Sequence, residues 1–224
     1  MIFRLKSISV AAGLFAFTAA GIAQAAPRIF PSAVGCQWSY RVSNGTQYGD
    51  KIIAVSGRSF TVKYHGVVNC KMQWIRNTAG WTTPDFKALG AVQSIGESFK
   101  IQVTGAGGVV VPRTALWKRG YQWSFWYSMS TSGSTGPMTF TQTGKIIVEN
   151  KIIGAKIVRV PDGSFHCFVV RSKLIFTGTE AVAGETIPLH VTTGEKQYYA
   201  LGTGLIKRTD GKTTTVLTKF VPGL

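Results

Sequence analysis

After its first 25 residues, this chain contains no segment in which apolar residues recur at i, i+3, i+4 and i+7 over three helical turns. Short runs rich in β-branched and aromatic side chains alternate instead with Gly, Asn, Asp and Ser. That pattern argues against a helical bundle and predicts an all-β, antiparallel protein. Strands are expected at Gln37–Val42, Lys51–Ser56, Ser59–Tyr64, Cys70–Arg76, Ser98–Thr104 and Gln122–Met129. Further strands are expected at Met138–Thr143, Lys145–Glu149, Ala155–Val160, Phe165–Leu174, His190–Thr193, Lys196–Ala200, Gly204–Arg208 and Thr213–Phe220. Ser43-Asn44-Gly45, Ser56-Gly57-Arg58, Pro161-Asp162-Gly163 and Thr209-Asp210-Gly211 supply turns, because Gly and Asn tolerate positive φ. Asp210-Gly211 is the strongest hairpin signal, and Thr83–Leu89 is the one stretch left for a short helix or turn.

One hexapeptide occurs twice. Gly35-Cys36-Gln37-Trp38-Ser39-Tyr40 returns 85 positions later as Gly120-Tyr121-Gln122-Trp123-Ser124-Phe125. Each copy is expected to open a β unit, the Gly turning the chain and the Trp anchoring the core. The Gly-Ala-Gly-Gly run within Gly105–Val111 reads as a flexible link. It divides the chain into a first unit over residues 26–111 and a second over 112–224, forming curved sheets or half-barrels. Alternation puts Trp123, Phe125 and Tyr127 on one face of their strand, with Ser124 and Trp126 on the other. Phe165–Val170 is apolar on both faces and is expected to be a central strand covered on both sides. Gly202 and Gly204 leave room for a ring or a ligand to lie flat on the backbone. Lys51, Lys63, Lys71 and Lys100 read as a solvated face and as edge protection.

The first 25 residues read as a cleavable secretory leader. Arg4 and Lys6 precede an apolar stretch from Ile8 to Ile22, and Ala23-Gln24-Ala25 supplies the cleavage site. The alternative is a lipoprotein anchored at Cys36, because Ala33-Val34-Gly35-Cys36 is lipobox-like. No second long apolar run follows, so no transmembrane segment is expected in the mature chain. Export leads to the periplasm or the extracellular space. The whole chain carries a formal charge of +16; without Arg4 and Lys6 it has 23 basic against 9 acidic residues, a formal +14. Such a surface attracts lipid headgroups, lipopolysaccharide or acidic polymer. Nucleic acid is not expected as a partner of an exported protein whose aromatics sit at strand spacing. Three cysteines enter an oxidising compartment, which leaves three pairings open. Cys36–Cys70 is favoured, since both lie in the first unit on strands that can be neighbours.

The chemistry-bearing residues form no catalytic pattern. His65, His166 and His190 accompany no Gly-x-Ser-x-Gly elbow, and Ser132–Gly136 reads as a flexible loop. His166 and Cys167 are adjacent, so a strand directs them to opposite faces and neither a nucleophilic pair nor a shared metal follows. No phosphate loop, dinucleotide fingerprint or His-Glu-x-x-His occurs. The expectation is a protein without enzymatic activity, cofactor or metal.

Three motifs in order carry a family resemblance: the doubled opening, Val158-Arg159-Val160-Pro161-Asp162-Gly163-Ser164-Phe165, and Tyr198-Tyr199-Ala200-Leu201-Gly202-Thr203-Gly204-Leu205-Ile206-Lys207. They resemble a broad group of uncharacterised bacterial secreted and envelope β-proteins, distantly like the lipoprotein-carrier (LolA/LolB) half-barrels. The resemblance covers Leu116–Arg208 well and Phe30–Trp81 weakly. It implies a curved antiparallel sheet around an apolar hollow, without the carriers' helical plug or retention motif. The implied function is binding of an apolar or anionic amphiphilic ligand, with Trp117, Trp123, Phe125, Trp126 and Tyr199 as candidate lining residues. The alternative is that these rings are core and the protein docks through a basic surface as a structural or interaction protein of the envelope.

Overall fold

The structure is a computed structural model that describes residues 29–66, 70–85, 92–94, 97–135, 138–182 and 184–223. The expected leader lies outside the described residues. The first half supplies β1 (Gln37–Val42), β2 (Gln47–Ser56), β3 (Ser59–His65), β4 (Cys70–Arg76), β5 (Gly80–Asp85), β6 (Val92–Ser94), β7 (Glu97–Gly108) and β8 (Val111–Pro112). The second supplies β9 (Gln122–Thr135), β10 (Met138–Val160), β11 (Gly163–Val182), β12 (Glu185–Ala200), β13 (Gly204–Thr209) and β14 (Thr214–Val221). Among the described residues these fourteen strands form one curved sheet, with every adjacent pair antiparallel. A single 3-10 turn at Thr114–Leu116 interrupts it, and no helix among the described residues is long and apolar enough to cross a membrane.

The strand order is β6-β7-β9-β10-β11-β12-β13-β14-β1-β2-β3-β4-β5-β8. Two consecutive five-strand meanders, β1–β5 and β9–β13, each lead into a strand that reaches across to the other meander. After the second meander, β14 pairs with β13 on one side and with β1 on the other. After the first, β7 pairs with β9, and β8, two residues further on, pairs with β5. At this seam Val109 donates its N–H to the Ser124 carbonyl and Val110 to the Trp81 carbonyl. The ladder is not closed into a barrel, yet its two ends meet at one short segment.

The doubled hexapeptide has a doubled geometry. Gly35 and Gly120 sit at φ +91° and +90°, values open to Gly at little cost. Each donates its N–H to a carbonyl one strand away, Gly35 to Ile52 at 2.9 Å and Gly120 to Ile152 at 2.8 Å. Each of those strands carries a register shift just past that residue, Ile52/Ala54 in β2 and Ile152/Gly154 in β10. Trp38 stands opposite Asp50, and Trp123 opposite Asn150. One continuous core joins the two meanders, centred on Trp38, Trp74, Tyr40, Tyr127, Phe30 and Phe60.

Several expectations need correction. Gly105–Val111 is not a flexible link: it is strand through Gly108 and then forms the seam. Its glycines admit the Trp126 indole, which lies so close that a Cβ on Gly107 would come within 2.7 Å of Nε1. Thr83–Asp85 belong to β5 rather than to a helix, and the rest of Thr83–Leu89 lies outside the described residues. Ser132–Thr135 end β9 rather than forming a loop, and Gly136 lies outside the described residues. The segments expected over Met138–Val160 and His190–Ala200 run together into single long strands. Phe165–Val170 is only partly covered: Cys167, Val169 and Val170 are buried, whereas His166 is exposed.

Cys36 is a free, buried thiol, so the favoured Cys36–Cys70 bridge is not formed. Cys36 heads β1 and Cys70 opens β4, with β2 and β3 between them. Three strand spacings amount to about 14 Å, twice the Cα separation a disulfide spans. Ile29 and Phe30 are each 1% exposed, and a chain cut ahead of Cys36 would lose both from the core.

Candidate functional site

The inner face of the sheet holds rings at one level and polar groups beside them. Trp117 packs against Trp123, Phe168 and Tyr199 at centroid distances of 5.7, 5.5 and 5.3 Å, and Tyr199 meets Phe30 at 5.5 Å. The indole N–H groups are spent on backbone carbonyls, Trp117 on Pro112 at 3.0 Å and Trp123 on Val110 at 3.1 Å. Phe30 also covers Gly204, where a Cβ would fall 2.3 Å from the ring, so the ring accommodated by that glycine belongs to the protein itself.

Next to this cluster, residues of both meanders form a buried polar group. Tyr199 Oη donates to Gln197 Oε1, and Gln197 Nε2 donates to Glu195 Oε1. Arg208 Nε lies 3.6 Å from Glu195 Oε2. Burial pushes the Glu195 carboxyl upward, while Arg208 and the Gln197 hydrogen bond pull it back. Tyr40 stacks on Tyr48 at 5.0 Å and donates to the Leu205 carbonyl at 3.3 Å. Asp50, 1% exposed, stands near both tyrosines, and neither of its oxygens has a hydrogen-bond partner. Burial alone holds its pKa well above the usual carboxylate range, which favours the protonated acid. The equivalent Asn150 accepts a 2.6 Å hydrogen bond from Ser172 Oγ.

Nucleophilic chemistry finds little support in this geometry. Burial raises the thiol pKa of Cys36, and that of Cys167 is pushed up to about 12 against the opposing effect of Lys156. His190 Nδ1 lies 3.1 Å from Thr177 Oγ1, His65 lies against Gly49, and His166 is exposed. Among the described residues no three His, Cys, Asp or Glu side chains gather as a metal set would.

The outer face is organised by cross-strand register. Lys51 stands directly opposite Lys63, and Lys63 opposite Lys71. In the second meander Lys151 stands opposite Arg171, and Arg171 opposite Lys196. All six are exposed. Like charges directly opposite across strands destabilise a sheet, and at ~5 Å in water the repulsion is about 0.8 kcal/mol per pair. These strands are interior to the sheet, so Lys51, Lys63 and Lys71 do not protect an edge. From Ile29 to Thr82 the chain exposes Arg41, Lys51, Arg58, Lys63, Lys71 and Arg76, and its one acid, Asp50, points inward.

The structure brings Trp117, Trp123 and Tyr199 together. Phe125 sits one step along the same face, buried against Tyr127 at 5.4 Å. Trp126 is on the outer face, half-buried over Gly105 and Gly107, with Lys145 Nζ 4.3 Å from its ring centroid. Sequence reasoning missed the cation rows because they exist only in the register. A signal was present: Asp50-Lys51-Ile52-Ile53 recurs as Asn150-Lys151-Ile152-Ile153.

Fold and site thus define a class: an all-β protein built on one curved antiparallel sheet, aromatic inside and basic outside. No protein-family model matches the chain, and no curated protein does. Its fold is similar to that of a Bacteroides fragilis protein described as a putative exported protein with a YmcC-like fold. The identity is 11%, over 87% of this chain and 99% of that one, with a TM-score of 0.50. Lower scores relate it to a putative lipoprotein of Parabacteroides distasonis, with 15% identity over 88% and 100% of the two chains and a TM-score of 0.45. The hypothetical lipoprotein YmcC of Escherichia coli gives 9% identity, full coverage of both chains and a TM-score of 0.42.

Proposed function

We propose that this chain is an exported, non-enzymatic envelope protein that docks on an anionic surface through the outer face of its sheet. One observation carries the reading: from Ile29 to Thr82 the chain exposes six cations and no acid, three of the cations in direct cross-strand opposition. A surface that retains such repulsion is relieved by an anionic partner. The leader-like first 25 residues and the fold shared with a protein described as exported support the location.

A second reading, an apolar or amphiphilic ligand held inside, is favoured by Asp50, whose two oxygens are buried without partners. The inner rings weigh against it, because Trp117, Trp123 and Tyr199 contact one another. The deciding measurement titrates the protein with anionic vesicles, with a linear polyuronate and with a monomeric anionic fluorescent amphiphile across a salt series. Binding to vesicles or polymer that fades as salt rises supports the outer face. Saturable, salt-insensitive uptake of the amphiphile with blue-shifted Trp emission moves the function to the inside.

A further inference from the structure

We infer that the row Lys51–Lys63–Lys71 and the apolar side chains beside it form a docking site for an anionic lipid surface. The inference rests on the outer-face reading above and gives it a place and a partner.

Seven large apolar side chains are exposed among the described residues, and three of them border this row: Val34 at 49%, Ile53 at 36% and Val221 at 38%. Val221 stands in the row itself, two strands from Lys51 through Gln37. Ile53 lies at the register shift of β2, two residues beyond Lys51. Val34 is brought alongside by the Gly35 N–H bond to the Ile52 carbonyl at 2.9 Å. The chain end closes the patch, with Gly223 against the carbonyls of Ala33 and Val34.

The two kinds of side chain together select the partner. A linear acidic polymer offers charge to the lysines and nothing to three exposed aliphatic groups. A membrane leaflet offers phosphates at the level of the lysine heads and acyl chains just beneath. Lysine stems are long enough to keep their ammonium groups among the headgroups while the shorter Val and Ile side chains enter below. The second meander repeats the cations in Lys151–Arg171–Lys196 but adds the acid Glu149, whose Oε2 lies 4.0 Å from Lys173 Nζ. The exposed aliphatic side chains Val34, Ile53 and Val221 gather beside the first row, and that row is the side that faces the lipid.

The test is co-sedimentation of the full chain with vesicles of phosphatidylcholine containing phosphatidylglycerol. Lys51→Gln/Lys63→Gln/Lys71→Gln is expected to lose about a hundredfold in affinity. A control with the same charge loss, Lys118→Gln/Arg119→Gln/Lys212→Gln, is expected to lose less than threefold. Ile53→Thr/Val221→Thr is expected to weaken binding several-fold at every salt concentration. Circular dichroism and a thermal melt of each variant check that the fold is kept. Equal losses in the triad and its control would overturn the site and leave outer-face docking standing. Wild-type protein that ignores these vesicles but binds a linear polyuronate in a salt-dependent manner would overturn the lipid partner alone. Binding to neither would sink this inference and the docking reading together.

Discussion

The two meanders share one frame and fill it differently. Both begin with a positive-φ glycine bonded to an isoleucine carbonyl, both place a tryptophan on the next strand, and both shift register after that isoleucine. Within that frame Trp38 is fully buried, donates to the Thr203 carbonyl at 2.6 Å and packs against Phe220, whereas Trp123 is half-buried. Asp50 faces Trp38 without a partner, whereas Asn150 faces Trp123 and is bonded to Ser172. Four residues join β1 to β2, while β9 and β10 continue into a ladder running from Gln122 opposite Lys151 to Thr135 opposite Met138. The frame therefore depends on a few backbone bonds and one ring per unit; the remaining positions are open to function.

The largest test of that asymmetry is Trp38→Ala against Trp123→Ala. Trp38→Ala removes a wholly buried ring and orphans a carbonyl, and is expected to cost about 4–5 kcal/mol in urea unfolding. Trp123→Ala is expected to cost about 2 kcal/mol, because part of its ring is already in water. Equal costs would mean that the two openings carry the same load.

Exchanging Asp50 and Asn150 tests the next difference. Asn150→Asp places a further carboxyl in the interior and is expected to destabilise by roughly 2–3 kcal/mol at pH 7. Asp50→Asn is expected to stabilise by roughly 1–2 kcal/mol at the same pH. Its size depends on pH in a defined way. Folding raises the Asp50 pKa, so the folded chain keeps a proton that the unfolded chain releases above about 3.8. The cost of Asp50 is absent below that value and grows as pH rises above it, until the folded group also ionises. The advantage of Asp50→Asn therefore widens from acid toward neutral pH. A constant difference between the two proteins over that range would show that Asp50 has a partner.

The sequence-to-structure record divides along the same line. Alternation located most strands, because a residue's face follows directly from period two. The register Gln37–Val42 was found whole. The Asp210 turn was legible too, since its carboxylate accepts the N–H groups of Lys212 and Thr213 at 2.8 and 2.7 Å. Burial would raise the Asp210 pKa, yet those bonds hold it low. Long-range pairing was not legible. Which strands become neighbours decides that Cys36 cannot reach Cys70, that three lysines line up, and that Gly107 lies under Trp126. Cys36 and Cys70 are far apart in sequence, as are Gly107 and Trp126, and Lys51 comes opposite Lys63 only because β2 shifts register between Ile52 and Ala54. Trp117, Trp123 and Tyr199 meet because β9 to β12 run side by side, whereas the outward position of Trp126 was already implied by its odd step from Trp123.

A smaller effect comes from the paired glycines. Gly35→Ala and Gly120→Ala force a side chain into the left-handed region and are each expected to cost about 1–2 kcal/mol by thermal melt. Space does not distinguish them: a Cβ on Gly120 meets nothing within 4 Å, and one on Gly35 meets Gly223 only at 3.7 Å. Unequal costs would locate tertiary strain in one unit.

The smallest expected effect separates stability from binding. Lys63 has a cation opposite it on both sides, and Arg171 occupies the same place in the other row. Lys63→Gln removes two repulsions and is expected to raise stability by about 0.5 kcal/mol at low salt, and by less at high salt. Arg171→Gln is expected to give a smaller gain, because Glu149, two residues from Lys151 on the adjacent strand, already brings a negative charge beside that row. A rise in Tm for Lys63→Gln alongside weaker vesicle binding would mean that the row costs the fold stability and serves contact with a partner. A fall in Tm would mean that the lysine stems, packed side by side, stabilise the sheet more than their charges oppose it.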